Sequence, residues 1–217
     1  MLYPKKLRKR ELRALIIGMI LGDAHLTKPS GRGKSSICLG HSIQQKNYFH
    51  YKRNLLESLL KVKITFNELT RYGKYQVIQG KSNSNRYLGK LRKVLYNENK
   101  IISNKILKYL TPQAIAIWFM DDGGKRVNHK RKYINGLFLS TQSFSKKENE
   151  VIKDFFMHNY SIKTSIVSHG KNKVRLNFNK ENSLKLKVLI EQFILPDFNY
   201  KLILEYKDIS NDPRNRI

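Results

Sequence analysis

Acidic side chains are scarce in this sequence. Against 43 Lys and Arg it sets only 16 Asp and Glu, a formal charge of +27. Such an excess repels itself in a compact chain and points to a polyanionic partner. Cysteine is nearly absent: Cys38 stands alone, which excludes an intrachain disulfide and any multi-cysteine zinc site. It lies in "SSICLGH", an alternating stretch that reads as a strand with a buried structural thiol. The six histidines include no H-x-x-x-H or H-E-x-x-H pair, so zinc is not expected. No apolar run approaches the roughly 18–20 residues of a membrane span, and no basic amphipathic helix carries a bulky apolar face. The partner is therefore read as nucleic acid, not a membrane. The opening "MLYPKKLRKRELRALIIGMILGD" superficially resembles a signal peptide, but its apolar part ends in Gly-Asp-Ala-His without a convincing small-x-small cleavage site, and Glu11 and Arg13 sit beside it.

What remains is globular. Hydrophobic residues make up 40% of 217 positions and aromatics 11%, enough for one large or two small domains. The richness in Lys, Asn, Ile and Tyr is typical of AT-rich genomes and hints at an organellar gene.

The chain repeats one plan. An apolar helix over about Glu11 to Leu21 ends at Gly22-Asp23, and a second over about Pro112 to Met120 ends at Asp121-Asp122. Thr111-Pro112 supplies the second with an N-cap and a first-turn proline. After each comes a hairpin, with "SGRGK" before "SSICLGHS" and "RVNHKRK" before "YINGLFLSTQS". An amphipathic helix follows, "QKNYFHYKRNLLESLL" or "SKKENEVIKDFFMHNY". Next is a second hairpin, with its tip near Tyr72-Gly73-Lys74 or at His169-Gly170-Lys171. Each half closes with a helix, about Ser84 to Tyr96 or about Glu181 to Phe193. The expected class is α+β, two αββαββα halves over residues 1–108 and 109–217.

Aspartates at helix C-termini need an explanation, because the carbonyl end already carries partial negative charge. Asp-Gly and Gly-Asp also serve as ordinary turn pairs. A duplicated unit packs about a pseudo-two-fold axis, which is expected to bring the two helix ends, and with them Asp23 and Asp122, together. Of the adjacent pair, Asp122 aligns with Asp23 and Asp121 with Gly22. Converging carboxylates repel unless protonated or bridged. Mg²⁺ is a hard ion suited to oxygen ligands, and phosphate could complete its shell in phosphodiester hydrolysis.

At these residues the chain resembles the LAGLIDADG homing endonucleases. "IIGMILGDA" (Ile16 to Ala24) and "IAIWFMDDG" (Ile115 to Gly123) follow the nine-residue motif, each with the acid at its eighth position. "LTPQAIAIWFMDDGGK", "LSTQSFS" and "LPDFNYKL" are similar to the single-chain, two-motif branch of that family. The resemblance covers about Leu12 to Leu204. It implies a saddle of two halves whose antiparallel sheets lie in the DNA major groove, with the motif helices as the seam. It also implies a monomer that uses Mg²⁺, with Mn²⁺ as a substitute, to cut both strands of double-stranded DNA and leave short 3′ overhangs. Asp23 and Asp122 carry over as metal ligands, Lys201 in "NYKLIL" and Lys100 in "ENKIIS" as lysines beside the scissile phosphate, and Gln142 as a water-organising residue whose counterpart is the shorter Ser42.

The strands offer a reading surface independently of the family, since antiparallel ribbons enter the major groove. Candidates on polar faces and tips are Lys28, Arg32, Lys34, Arg71, Lys74, Gln76, Gln79, Lys125, Arg126, Lys130, Arg131, Lys132, Lys171, Lys173 and Arg175. Arg and Gln read base edges, while Lys more often meets phosphate. "KKLRKR" and the tail "RNR" are expected to add phosphate contacts or to fray. Two rivals remain: an RNA-binding maturase with intron RNA as partner, and a non-catalytic DNA-binding regulator. A ribosomal protein would explain the charge but not the paired motifs. The expected origin is a mitochondrion or chloroplast encoding the gene, with a bacterial or phage source as the alternative.

Overall fold

The computed structural model describes residues 9–170 and 173–206. The chain divides into two compact units, Met1–Asn99 and Lys100–Ile217. The first contains α1 (Lys9–Leu21), β1 (His25–Leu26), β2 (Ile37–Ser42), α2 (Lys46–Leu60), β3 (Ile64–Arg71), β4 (Tyr75–Ser82) and α3 (Arg86–Leu95). After the short strands β5 (Tyr96–Asn97) and β6 (Asn99–Lys100) and the one-turn helix α4 (Asn104–Leu107), the order recurs. It runs through α5 (Pro112–Asp122), β7 (Gly123–Asn128), β8 (Tyr133–Leu139), α6 (Lys146–Tyr160), β9 (Ser165–Ser168), β10 (Val174–Asn177) and α7 (Lys180–Ile190). The expected α+β class, with helix, hairpin, helix, hairpin, helix twice over, is observed.

In the first unit the sheet order is β1-β2-β4-β3, antiparallel throughout. Residues paired directly across strands share a face. The register therefore sorts Leu39, Gly80 and Phe66 onto one face, and Gly40, Gln79 and Asn67 onto the other. The first face is apolar because α2 covers it, burying Tyr48, Phe49, Leu55 and Leu56. Lys52 joins them, fully buried, with its ammonium 4.5 Å over the Tyr48 ring. α3 starts at Asn85, whose side chain accepts from the Tyr87 amide at 2.7 Å. Its Gly89 lies against the β1–β2 loop, where an added Cβ would stand 1.9 Å from the Gly33 carbonyl oxygen. Arg92 fastens the end of β1, donating to the Leu26 carbonyl at 2.7 Å.

In the second unit the sheet order is β7-β8-β10-β9, with an irregularity between Lys125 and Val127. α5 begins as the sequence suggests: Thr111 accepts from the Ala114 amide at 3.3 Å and Pro112 occupies the first turn. Every residue from Ala114 to Met120 is buried. α6 opens with a capping box, Ser145 Oγ accepting from the Glu148 amide and Glu148 Oε2 from the Ser145 amide. Behind the sheet, α6 buries Ile152, Phe155 and Phe156, and α7 buries Leu186 and Ile190.

Candidate active site and nucleic-acid interface

The first acid is placed by the burial of its helix. Ala14 to Leu21 is core, and the Gly22 and Ala24 amides still donate back into the last turn, at 3.2 Å to Gly18 O and 2.9 Å to Met19 O. The chain then leaves for β1, and the Asp23 side chain emerges 46% exposed. Beside it stands a residue that sequence reading did not assign. His41, near the end of β2, has Nδ1 3.7 Å from Asp23 Oδ2 and 3.3 Å from Gln45 Oε1. Its side chain is only 1% exposed, and its ring tilts against Tyr48 at 5.0 Å. Ser42, next in the chain, is exposed.

Asp122 closes α5, half-buried, with Trp118 Nε1 donating to its Oδ2 at 3.2 Å and its carbonyl accepting from the Ser140 amide at 2.9 Å. Lys201 lies in the 3-10 turn Pro196–Leu202 and is buried. Its Nζ donates to the carbonyls of Met120 at 2.6 Å and Asp121 at 3.3 Å. This ammonium offsets the negative end of the α5 dipole that the two aspartates would otherwise reinforce. Lys125 Nζ donates to the Tyr200 carbonyl at 3.2 Å, holding the same turn. Lys100 is half-buried in β6, and Gln142 is half-buried in the turn after β8. That turn is pinned by Asn149, whose Nδ2 donates to the carbonyls of Thr141, Phe144 and Ser145 while its Oδ1 accepts from Thr141 Oγ1.

The face of the first sheet turned away from α2 forms a groove of about 640 Å³ that includes Asp23, Asn67, Arg71, Gln79 and Lys81. Arg71 Nη2 donates to Gln79 Oε1 at 2.8 Å, so both share that face. Gln76 has the opposite register, although it too is exposed. Lys81, absent from the sequence-based set, pairs with Cys38 and Thr65 and belongs with Gln79. Lys28 and Arg32 are exposed in the β1–β2 loop, with Lys34 half-exposed, and Lys74 is exposed in the β3–β4 turn. Burial raises the Cys38 thiol pKa, and the Lys81 ammonium offsets part of that rise.

On the second sheet Lys130, Arg131, Lys132 and Lys173 are exposed, and Lys171 lies outside the described residues, as do most of "KKLRKR" and the tail "RNR". Arg126 is occupied structurally: its Nη2 donates to the carbonyls of Asn135 at 2.8 Å and Phe178 at 3.0 Å. Burial, then the neighbouring Arg175, lowers its pKa. Arg175, also lowered by burial, stacks 4.2 Å over Phe138, which fills the space above Gly124. A separate hollow of about 700 Å³ beside α7 contains none of the candidate residues.

A family model for the LAGLIDADG DNA endonuclease family matches residues 13–186. The chain belongs to that family. The cytochrome b mRNA maturase bI2 of Saccharomyces cerevisiae is 28% identical over 203 residues, covering 87% of this chain and 46% of that protein. The chain spans about half the length of the curated relatives it matches first. Among solved structures, the homing endonuclease I-WcaI bound to its DNA recognition sequence superposes with a TM-score of 0.76 at 24% identity, covering 92% of this chain and 89% of that one. A structure of the homing endonuclease I-DmoI with its target DNA, in the presence of 2 mM Mg, gives a TM-score of 0.53 at 15% identity, covering 84% and 96%.

For this LAGLIDADG chain the donor set fits a divalent cation. Asp23 presents a half-exposed carboxylate, and its 3.7 Å separation from His41 Nδ1 is too long for a hydrogen bond yet short enough for two ligands of one ion. At Asp122 the indole engages Oδ2, one of the two carboxylate oxygens, and fixes the group's orientation.

Proposed function

We propose that the chain is a homing endonuclease that cuts both strands of a long double-stranded DNA site and leaves short 3′ overhangs. The observation that carries this reading is the repetition itself. In each unit a buried helix leads into an aspartate beside a sheet with basic side chains, and the repeated halves are read as 1–108 and 109–217. Asp23 and Asp122 would hold Mg²⁺, or Mn²⁺ in its place, which when bound activates water and steadies the leaving oxygen. The protein's own residues supply position. Trp118 orients the Asp122 carboxylate, Lys201 neutralises the helix end beneath it, and Gln142 sits on a turn that Asn149 locks. Lys201 and Lys100 are the lysines assigned to stabilise charge near the scissile phosphate.

Binding is read as backbone attraction from Lys28, Arg32, Lys34, Lys74, Lys81, Lys130, Arg131, Lys132 and Lys173, with Arg71, Gln79 and Arg175 reading bases. The reading assigns a monomer encoded in an organelle. The similarity to an mRNA maturase supports a second reading, in which the same scaffold binds intron RNA and assists splicing. Incubating the protein with a randomised duplex library, with and without Mg²⁺, tests the choice. Mg²⁺-dependent cuts at one consensus with 3′ overhangs support the endonuclease. Tight intron binding and splicing assistance without any cutting support the maturase.

A further inference from the structure

Among the differences between the two halves, one falls two residues beyond the matching leucines of their second strands. Counting from the matching leucines Leu39 and Leu139, the strand-end residue is His41 in the first half and Thr141 in the second. Thr141 is committed to its own helix, with Oγ1 donating to Asn149 Oδ1 and its carbonyl accepting from Asn149 Nδ2. His41 instead directs Nδ1 toward Asp23 Oδ2, at 3.7 Å. It cannot swing away easily. The side chain is buried, the ring leans on Tyr48, Gln45 lies 3.3 Å from Nδ1, and Ile78 is its partner across the strands. The fold thus holds a buried ring nitrogen beside a half-exposed carboxylate.

We propose that His41 is a metal ligand in the first half, acting through Nδ1 beside Asp23. This rests on the metal-dependent reading above and deepens it. The two metal sites are then chemically unequal: the first pairs a carboxylate with an imidazole, whereas the second half has a threonine hydroxyl engaged elsewhere. Imidazole favours transition metals over Mg²⁺, which prefers oxygen. The first site should therefore favour Mn²⁺ over Mg²⁺ more strongly than the second. Coordination requires the neutral ring with its proton on Nε2, so metal binding at Nδ1 also requires the Gln45 side-chain carbonyl oxygen, an acceptor 3.3 Å from Nδ1, to turn away.

The test uses the full chain with Mn²⁺ alone, read by electron spin-echo modulation from directly bound nitrogen. The expected result is an imidazole nitrogen signal in the wild type that disappears in His41→Thr and His41→Gln, with Mn²⁺ affinity at that site falling roughly 10- to 100-fold. Circular dichroism selects variants that remain folded, and His41→Gln retains a polar side chain of similar size should His41→Thr unfold. His25→Ala, which alters the other histidine near Asp23, should leave the signal intact. A signal unchanged by both His41 substitutions, a signal lost in His25→Ala instead, or no nitrogen coupling in the wild type would overturn the proposal. The readout is independent of cleavage. A His41-dependent signal in a protein that cuts nothing leaves this ligand standing and removes the endonuclease reading, whereas Mg²⁺-dependent cutting without the signal does the reverse.

Discussion

Asn149 gives the sharpest quantitative test of how the second half holds the turn that carries Gln142. The side chain is fully buried on α6. Its Nδ2 lies 3.3, 3.1 and 3.0 Å from the carbonyls of Thr141, Phe144 and Ser145, and Oδ1 accepts from Thr141 Oγ1. An amide nitrogen has two protons, so the three carbonyls share two bonds, and with the Thr141 hydroxyl the residue supports about three. Asn149→Ala removes all of them. At about 1 kcal/mol net for each bond the loss is about 3 kcal/mol, and a small cavity with stranded buried carbonyls brings it to roughly 3–5 kcal/mol. For a chain of this size each kcal/mol moves Tm by about 2–4 °C, so the expected drop is roughly 6–20 °C. Thermal melts by circular dichroism measure it, with the exposed Lys146→Ala on the same helix as a control expected to move within about 0.5 kcal/mol. Because the same residue pins the turn carrying Gln142, the folded variant should also cleave more slowly at a temperature where both proteins are native. A Tm shift under about 2 °C would refute the reasoning, since no relaxation of an exposed loop could replace four contacts in the core.

Three further outcomes are expected. Gly89→Ala forces a methyl onto the Gly33 carbonyl and should cost about 1–3 kcal/mol or prevent folding, read by denaturant midpoint. Lys201→Met removes charged hydrogen bonds to Met120 and Asp121 and should destabilise the protein by roughly 1.5–3 kcal/mol, with a larger loss of cleavage rate than of DNA affinity. Because burial raises the Cys38 thiol pKa, its thiolate is scarcer at any given pH, so the maleimide reaction profile should lie at higher pH than that of free cysteine. Bound DNA should suppress the reaction, and a profile matching free cysteine would contradict the burial argument.

Local signals explain what was readable from sequence. Thr111-Pro112 is a cap whose geometry depends on adjacent residues, and it appears as expected, whereas the equally local capping box of Ser145 and Glu148 was not read from the sequence. The repeat was legible because each apolar helix ends on a Gly-Asp or Asp-Asp step before a hairpin. Register was not legible. That Gln79 and Lys81 share a face, with Gln76 on the other, depends on pairing β4 with β2 and β3, which alternation alone does not number. Long-range polar partners were equally hidden. Arg126 looked like a DNA contact, but its guanidinium binds the carbonyls of Asn135 and Phe178. Lys52 sits where a helix pattern shows only a charge, yet it is buried against Tyr48. The nearness of His41 to Asp23 comes from the way β1 and β2 fold back beside the end of α1, which no spacing rule anticipates.

The central claim is that Asp23 and Asp122 each serve one strand cut, and Asp23→Asn, Asp122→Asn and the double variant test it on the selected target duplex with each strand labelled separately. With Mg²⁺ the wild type should cut both strands. Each single variant should lose double-strand cleavage with its defect falling most heavily on one strand, a different strand for each, and the double variant should cut neither. Mg²⁺-dependent cutting of both strands by the double variant, with DNA affinity unchanged, would contradict the account.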